Sequence, residues 1–191
     1  VAEPADPAAR VLRATLGDRR GRQWLQAEWS GVPRELRGTG EARWDQQWNR
    51  WRERALTVDV ERELARVERA GGGFITPADP RWPVQLSCLG EEEPLGLWFL
   101  GRLSDASQSE GHVSIVGARA STSAGGRCAR NMAYHLARSG YAIVSGGAIG
   151  IDIEAHRGAL AGGGRTICVL AGGVLNPYPA CHTEDFRAIV D

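Results

Sequence analysis

Residues 113–179 read VSIVGARASTSAGGRCARNMAYHLARSGYAIVSGGAIGIDIEAHRGALAGGGRTICVLAGGVLNPYP, and this stretch decides the fold. Three short apolar runs, Val113–Val116, Tyr141–Val144 and Thr166–Leu170, alternate with two segments of helical pattern. Each run stops at glycine or small polar residues: Gly117-Ala118-Arg119, Ser145-Gly146-Gly147 and Ala171-Gly172-Gly173. Runs this short, rich in Val and Ile and without in–out alternation, predict parallel strands buried on both faces. Strand–helix–strand alternation implies right-handed crossovers and an open α/β sheet. Ligands of such sheets bind outside the carboxyl ends of the strands, and all three glycine stops fall on that edge.

The residues at the stops suit an anion. Glycine lets a backbone approach a ligand closely, and amides at a helix N-terminus bind negative charge. Gly146, Gly147 and Gly150 crowd the second turn, beside Ser145 and Ala148. Ser121 or Ser123 is placed to cap the helix after the first strand. Arg119 follows the first strand and Arg165 stands just before the third. Six arginines (119, 127, 130, 138, 157 and 165) against Asp152 and Glu154 leave the stretch at net +4, in a chain that sums to zero. That pattern favours a phosphate-rich partner over a neutral metabolite.

The kind of phosphate ligand narrows further. A dinucleotide-binding turn carries G-x-G-x-x-G and an acid about 20 residues on, for the ribose hydroxyls. Here Gly117-Ala118-Arg119 breaks the glycine pattern, and the second strand ends in Ser145-Gly146 with no carboxylate. No G-x-x-x-x-G-K-[ST] occurs, and the chain has no lysine. Neither an NAD nor a P-loop reading is favoured, and no cofactor is expected.

Several linked segments carry a family resemblance. They are Ile115–Arg119, then Val144–Asp152 (VSGGAIGID), Ala155–Leu160 (AHRGAL), Thr166–Leu170 (TICVL) and Asn176–Pro179 (NPYP). In this order they resemble the DNA-processing protein A family (DprA, also called Smf), whose pattern is V-G-[ST]-R, S-G-x-A-x-G-I-D-x-x-A-H-x-x-A-L, T-x-A-V-L and Y-P. Upstream, Phe74–Pro77 with Asp79–Leu86 resembles that family's D-x-x-[YW]-P-x-x-L entry segment and Leu97–Gly101 its L-[YW]-x-x-G strand, so the likeness runs from about Val58 to the end. It implies an extended Rossmann-like domain that binds single-stranded DNA, dimerises, and loads the recombinase RecA during natural transformation in the cytoplasm, with no catalysis. Carried onto this chain, the DNA-binding residues are Gly117, Arg119, Ser145, Gly146, Gly147, Ala148, Gly150, Asp152, His156, Arg157 and Arg165. Two departures are visible: Ala118 replaces Ser or Thr, and Ile149 stands where many members have arginine. Each removes about one contact, on the order of a kcal/mol.

The remaining chain frames that domain. At 191 residues there is room for one medium domain or two small ones, and the 42% apolar and 24% charged content is ordinary for a globular protein. Net charge zero argues against a uniformly basic DNA-coating protein. Cys88, Cys128, Cys168 and Cys181 show no C-x-x-C spacing, and Cys128 and Cys168 fall at apolar periodic positions, which predicts buried free thiols in a reducing compartment. No apolar stretch approaches a membrane span. Residues 1–70 read as a separate helical domain, similar to the family's sterile-alpha-motif-like domain, with 71–191 as the sheet domain. In it Val1–Pro7 is a loose tail, while Ala8–Leu16 and Arg22–Trp29 are helical, with stops at Gly17 and Gly31. Trp44, Trp48 and Trp51 recur at i, i+4, i+7, as a packing face or a base-stacking surface. Glu91-Glu92-Glu93 reads as a solvated loop, since adjacent carboxylates cannot face one metal, and Ser104–Gly111 as a surface loop. On the helix from Ser123 to Ser139, Ala124, Cys128, Met132 and Leu136 form the expected packing face. A start at Val1 and an end just after one more helix, Thr183–Val190, suggest a fragment whose sheet keeps an open edge, to be completed by another chain.

Three functions from different classes follow. The first is a non-catalytic mediator holding phosphates of single-stranded DNA. The second is a nucleotide-processing enzyme of the lysine-decarboxylase-like phosphoribohydrolase type, although its P-G-G-x-G-T-x-x-E is absent. Asp152 and His156, at i, i+4, fit either an acid/base pair or a cap and a loop brace. The third is an interaction module whose helical domain recruits partners.

Overall fold

The computed structural model describes residues 6–28, 30–38, 44–103 and 111–191. Residues 1–5 of the tail expected at Val1–Pro7, Trp29, and residues 104–110 of the loop expected at Ser104–Gly111 lie outside the described residues, while Asp6 and Pro7 are no loose tail but the cap and first residue of a helix and Gly111 opens a strand. The chain divides into two compact units, Val1–Arg66 with Phe74–Leu97, and Val67–Gly73 with Trp98–Asp191.

Helices build the first unit. α1 (Pro7–Gln26) starts at Asp6, whose Oδ1 accepts from the amides of Ala8 and Ala9 at 3.0 and 3.4 Å. Gly17, at φ 71°, leaves the helical region and breaks α1 where the sequence places a stop. α2 (Trp44–Thr57) and α3 (Val60–Arg69) follow. The tryptophan spacing is a packing face: Trp44, Trp48 and Trp51 are buried with Leu12, Leu16, Leu25 and Leu36. Trp24 and Trp44 meet edge to face at 6.2 Å, and the Trp48 indole donates to the Trp24 carbonyl at 3.1 Å. β1 (Gly72–Ile75) and β2 (Leu97–Leu100) form a two-stranded sheet.

The second unit holds the parallel sheet of β3 (Gly111–Ser114), β4 (Tyr141–Gly146) and β5 (Thr166–Val169), in the order β3-β4-β5. Its register pairs Ser114 with Val144 and Gly146 with Val169, so all three strands end at one rim. α4 (Ser123–Arg138) crosses from β3 to β4, and α5 (Ile151–Ala161) from β4 to β5. Right-handed crossovers between sequential neighbours put both helices on the same side. The buried cluster agrees, joining Ile115 and Ile143 to Ala129, Ala133, Ala137, Ala155 and Ala159. The expectation of strands buried on both faces is therefore half right. On the other face His112 and Ser114 are exposed, Val116 is 70% exposed and Val169 62%.

Two further expectations need correction. The inward face of α4 is Gly126, Ala129, Ala133 and Ala137, whereas Ala124 and Cys128 are exposed and Met132 is 52% exposed. α4 and α5 approach so closely that only glycine and alanine fit between them: a Cβ on Gly158 would lie 2.2 Å from the Arg130 carbonyl. The larger Cys and Met side chains turn outward. All four cysteines are free and only Cys168 is sheltered; burial, helped by the charge of Asp152, raises its thiol to about 11. α6 (Thr183–Val190) falls where the sequence puts it, with Phe186 buried. Among the described residues no helix is long and apolar enough to cross a membrane, and no group of His, Cys, Asp and Glu is arranged for a metal.

Candidate nucleic-acid interface

Three loops meet at the rim where the parallel strands end: 115–122 after β3, 147–150 after β4 and 170–179 after β5. The first two are interlocked. The Ile151 amide donates to the Ala118 carbonyl at 3.3 Å. Gly150, at φ 96°, lies so close that a Cβ there would sit 2.3 Å from the Ala118 carbonyl oxygen and 2.6 Å from that of Arg119. Only glycine takes that backbone angle and that approach together. Gly117 answers from the other side, its Cα facing the Ile151 side chain with no room for a methyl.

The turn after β4 is clamped from inside the protein. Ser145, 3% exposed, donates its hydroxyl to the Ile115 carbonyl at 2.6 Å. His156, fully buried, reaches the Gly146 carbonyl through Nε2 at 2.9 Å. A carbonyl only accepts, so Nε2 carries the proton, and Nδ1 of the neutral ring accepts from the Thr166 hydroxyl at 2.6 Å. Burial, the largest influence, pulls the pKa of His156 down, which keeps the ring neutral. His182, on the 3₁₀ turn before α6, donates from Nδ1 to the Gly147 carbonyl at 3.3 Å. In a trans peptide the N–H points opposite to the C=O before it. With both carbonyls drawn onto histidines, the amides of Gly147 and Ala148 point away from those two rings.

Helix termini complete the rim. α4 is capped by Thr122, whose Oγ1 accepts from the Gly125 amide at 3.1 Å, and not by Ser121 or Ser123. α5 has no side-chain cap at Gly150, so the positive end of its dipole is open at the rim. Asp152 lies in that first turn. Its Oδ2 is 2.6 Å from the point where a Gly146 Cβ would be, which sets a carboxylate directly against the end of β4. The sequence showed no acid there because Asp152 belongs to the next helix and folds back onto the strand end.

The expected site residues thus separate. Gly117, Arg119, Gly146, Gly147, Ala148, Gly150 and Asp152 come together at the rim. Ser145 and His156 sit beneath it as braces, with their polar atoms engaged. Arg157 is drawn away: its guanidinium holds Asp185 of α6 through two contacts of 2.8 and 2.9 Å and Glu154 through a third of 2.9 Å. The Asp185 carboxylate chiefly raises the pKa of Arg157. Arg165 precedes β5 and lies at the amino end of the sheet, opposite the rim. The net +4 of this stretch is not gathered at the rim either. Arg130 is bound to Glu154 at 2.6 Å, and Arg138, in the last turn of α4, lies against Tyr134. Arg119 is the exposed cation on the first rim loop. His182 escaped the sequence reading, since nothing local shows that a histidine 35 residues beyond Gly147 returns to it.

Comparison with known proteins gives this arrangement a setting. The family model for DNA recombination-mediator protein A matches residues 73–191, well over half of the chain. The protein named DNA processing protein DprA in Mycobacterium tuberculosis is 43% identical over 133 residues, covering 63% of this chain and 34% of that protein. Protein Smf of Synechocystis is 42% identical over 119 residues, covering 61% and 29%. The chain thus spans about a third of the length of these curated relatives. The X-ray structure of DNA processing protein A from Streptococcus pneumoniae superposes with a TM-score of 0.60 at 27% identity, over 74% of this chain and 48% of that one.

Proposed function

This chain belongs to the DNA recombination-mediator protein A family, and from that premise we propose that its rim holds the phosphates of single-stranded DNA without chemistry. The observation that carries this reading is the turn after β4, whose Gly146 and Gly147 carbonyls are held by His156 and His182 beside the uncapped end of α5 and the loop that bears Arg119. Arg119 on the adjoining loop adds the charge-assisted contact. In this reading the protein acts in DNA processing during uptake and passes the strand to a recombinase of the RecA type. It works in the cytoplasm as a homodimer of two-domain subunits, divided near residue 70.

Fluorescence anisotropy with a labelled oligothymidylate and the full-length protein tests it. Arg119→Ala is expected to weaken binding about tenfold, the size of one lost charge-assisted contact. Arg165→Ala, at the opposite end of the sheet, should leave affinity within twofold. Equal losses from both variants, or none from Arg119→Ala, would remove the rim from the reading.

A further inference from the structure

We propose that this rim also takes a ribonucleoside monophosphate, with Asp152 accepting hydrogen bonds from the ribose hydroxyls. The proposal goes beyond DNA binding, because an internal deoxynucleotide has no free sugar hydroxyl to offer.

Placement carries the argument. In a sheet of this kind the turn after the first strand meets the phosphate, and a carboxylate at the end of the second strand accepts from the ribose. β3 and β4 are those two strands, adjacent and parallel. The structure restores the acid that the sequence lacks at that place: Asp152 Oδ2 lies against Gly146, the last residue of β4, in the space a side chain there would fill. The Asp152 carboxylate has no hydrogen bond or ion pair with a described residue, and its charge acts on His156 and Cys168, so its oxygens are open to accept. Its neighbour Ile151 is bonded to Ala118, which keeps the carboxylate beside the loop that bears Arg119.

A base has a place as well. The loop after β4 carries Ile149, 53% exposed, and the loop after β5 carries Tyr178, 77% exposed. Neighbouring parallel strands are about 4.8 Å apart, so three strand ends set phosphate, sugar and base groups across the breadth of one nucleotide. A purely structural Asp152, serving only the dipole of α5, does not require the contact with Gly146.

Calorimetric titration of the full-length protein with adenosine 5′-monophosphate and its 2′-deoxy analogue tests the assignment. The ribonucleotide is expected to bind about tenfold more tightly, the effect of one hydrogen bond to a charged acceptor. In Asp152→Ala that preference should fall to within twofold, while oligothymidylate binds more tightly because a like charge has left the rim. Gly146→Ala, which pushes the carboxylate off its seat, should lower the preference in the same way. Thermal melts of each variant check that the fold survives. Equal affinity for the two nucleotides, no binding of either at millimolar concentration, or an unchanged preference in Asp152→Ala would each overturn the proposal. DNA binding would stand untouched by any of those results, since oligothymidylate reads it separately.

Discussion

At the scale of single residues, two histidines that face no solvent set the geometry of the rim. His156 is neutral in the folded protein because burial lowers its pKa below the usual 6.5. The unfolded chain therefore takes up its proton first as pH falls. The stabilisation is complete above about pH 6.5 and is lost below it. Urea unfolding at pH 7.5 and 5.5 should show lower stability at the acid end, and His156→Gln should flatten that difference. Arg157 makes the opposite point about arginines. Arg157→Ala should cost about 1 kcal/mol, since the partners it leaves are only partly sheltered, and should leave DNA affinity unchanged. A denaturation curve and an anisotropy titration on the same sample separate the two effects. In Arg119→Ala the pattern is reversed, with affinity lost and stability kept.

At the scale of elements, the contact between α4 and α5 carries the unit. Gly158→Ala would normally gain about 1 kcal/mol of helix propensity. Here its methyl would press on the Arg130 carbonyl and the Ala133 side chain, at 2.2 and 2.9 Å. Overpacking of that kind costs about 1–3 kcal/mol, so the net effect should be a lower thermal midpoint. The same contact explains what the sequence did and did not disclose. β4, β5 and α6 were legible because runs such as Tyr141–Val144 end at glycine and Thr183–Val190 has helical spacing. The buried side of α4 was not, since a reading by hydrophobicity prefers Cys128 and Met132 to Gly126 and Ala129, while close packing selects by size. Asp152 and the histidine clamp were equally hidden, for they depend on where chain segments return. The glycines of the rim were legible and their partners were not.

At the scale of the whole molecule, charge placement decides how DNA binding responds to salt. Counted along the sequence, a net +4 promises a steep dependence. In the structure Arg130 and Arg157 are held by Glu154 and Asp185, and Arg165 stands at the far end of the sheet. Arg119, joined at most by Arg127 from the second turn of α4, remains for phosphates. With about 0.7 counterions released per neutralised phosphate of a single strand, the slope of log affinity against log salt should lie between about −0.7 and −1.4. A slope near −3 would mean that cations outside this rim take part. The tryptophans have a separate consequence. Six of the seven belong to the unit of helices α1 and α2, and the sheet unit has only Trp98. Indole emission therefore reports almost entirely on one unit, while circular dichroism sees both. Melting curves recorded by the two methods will coincide only if the units unfold together, so the protein carries its own optical test of cooperativity.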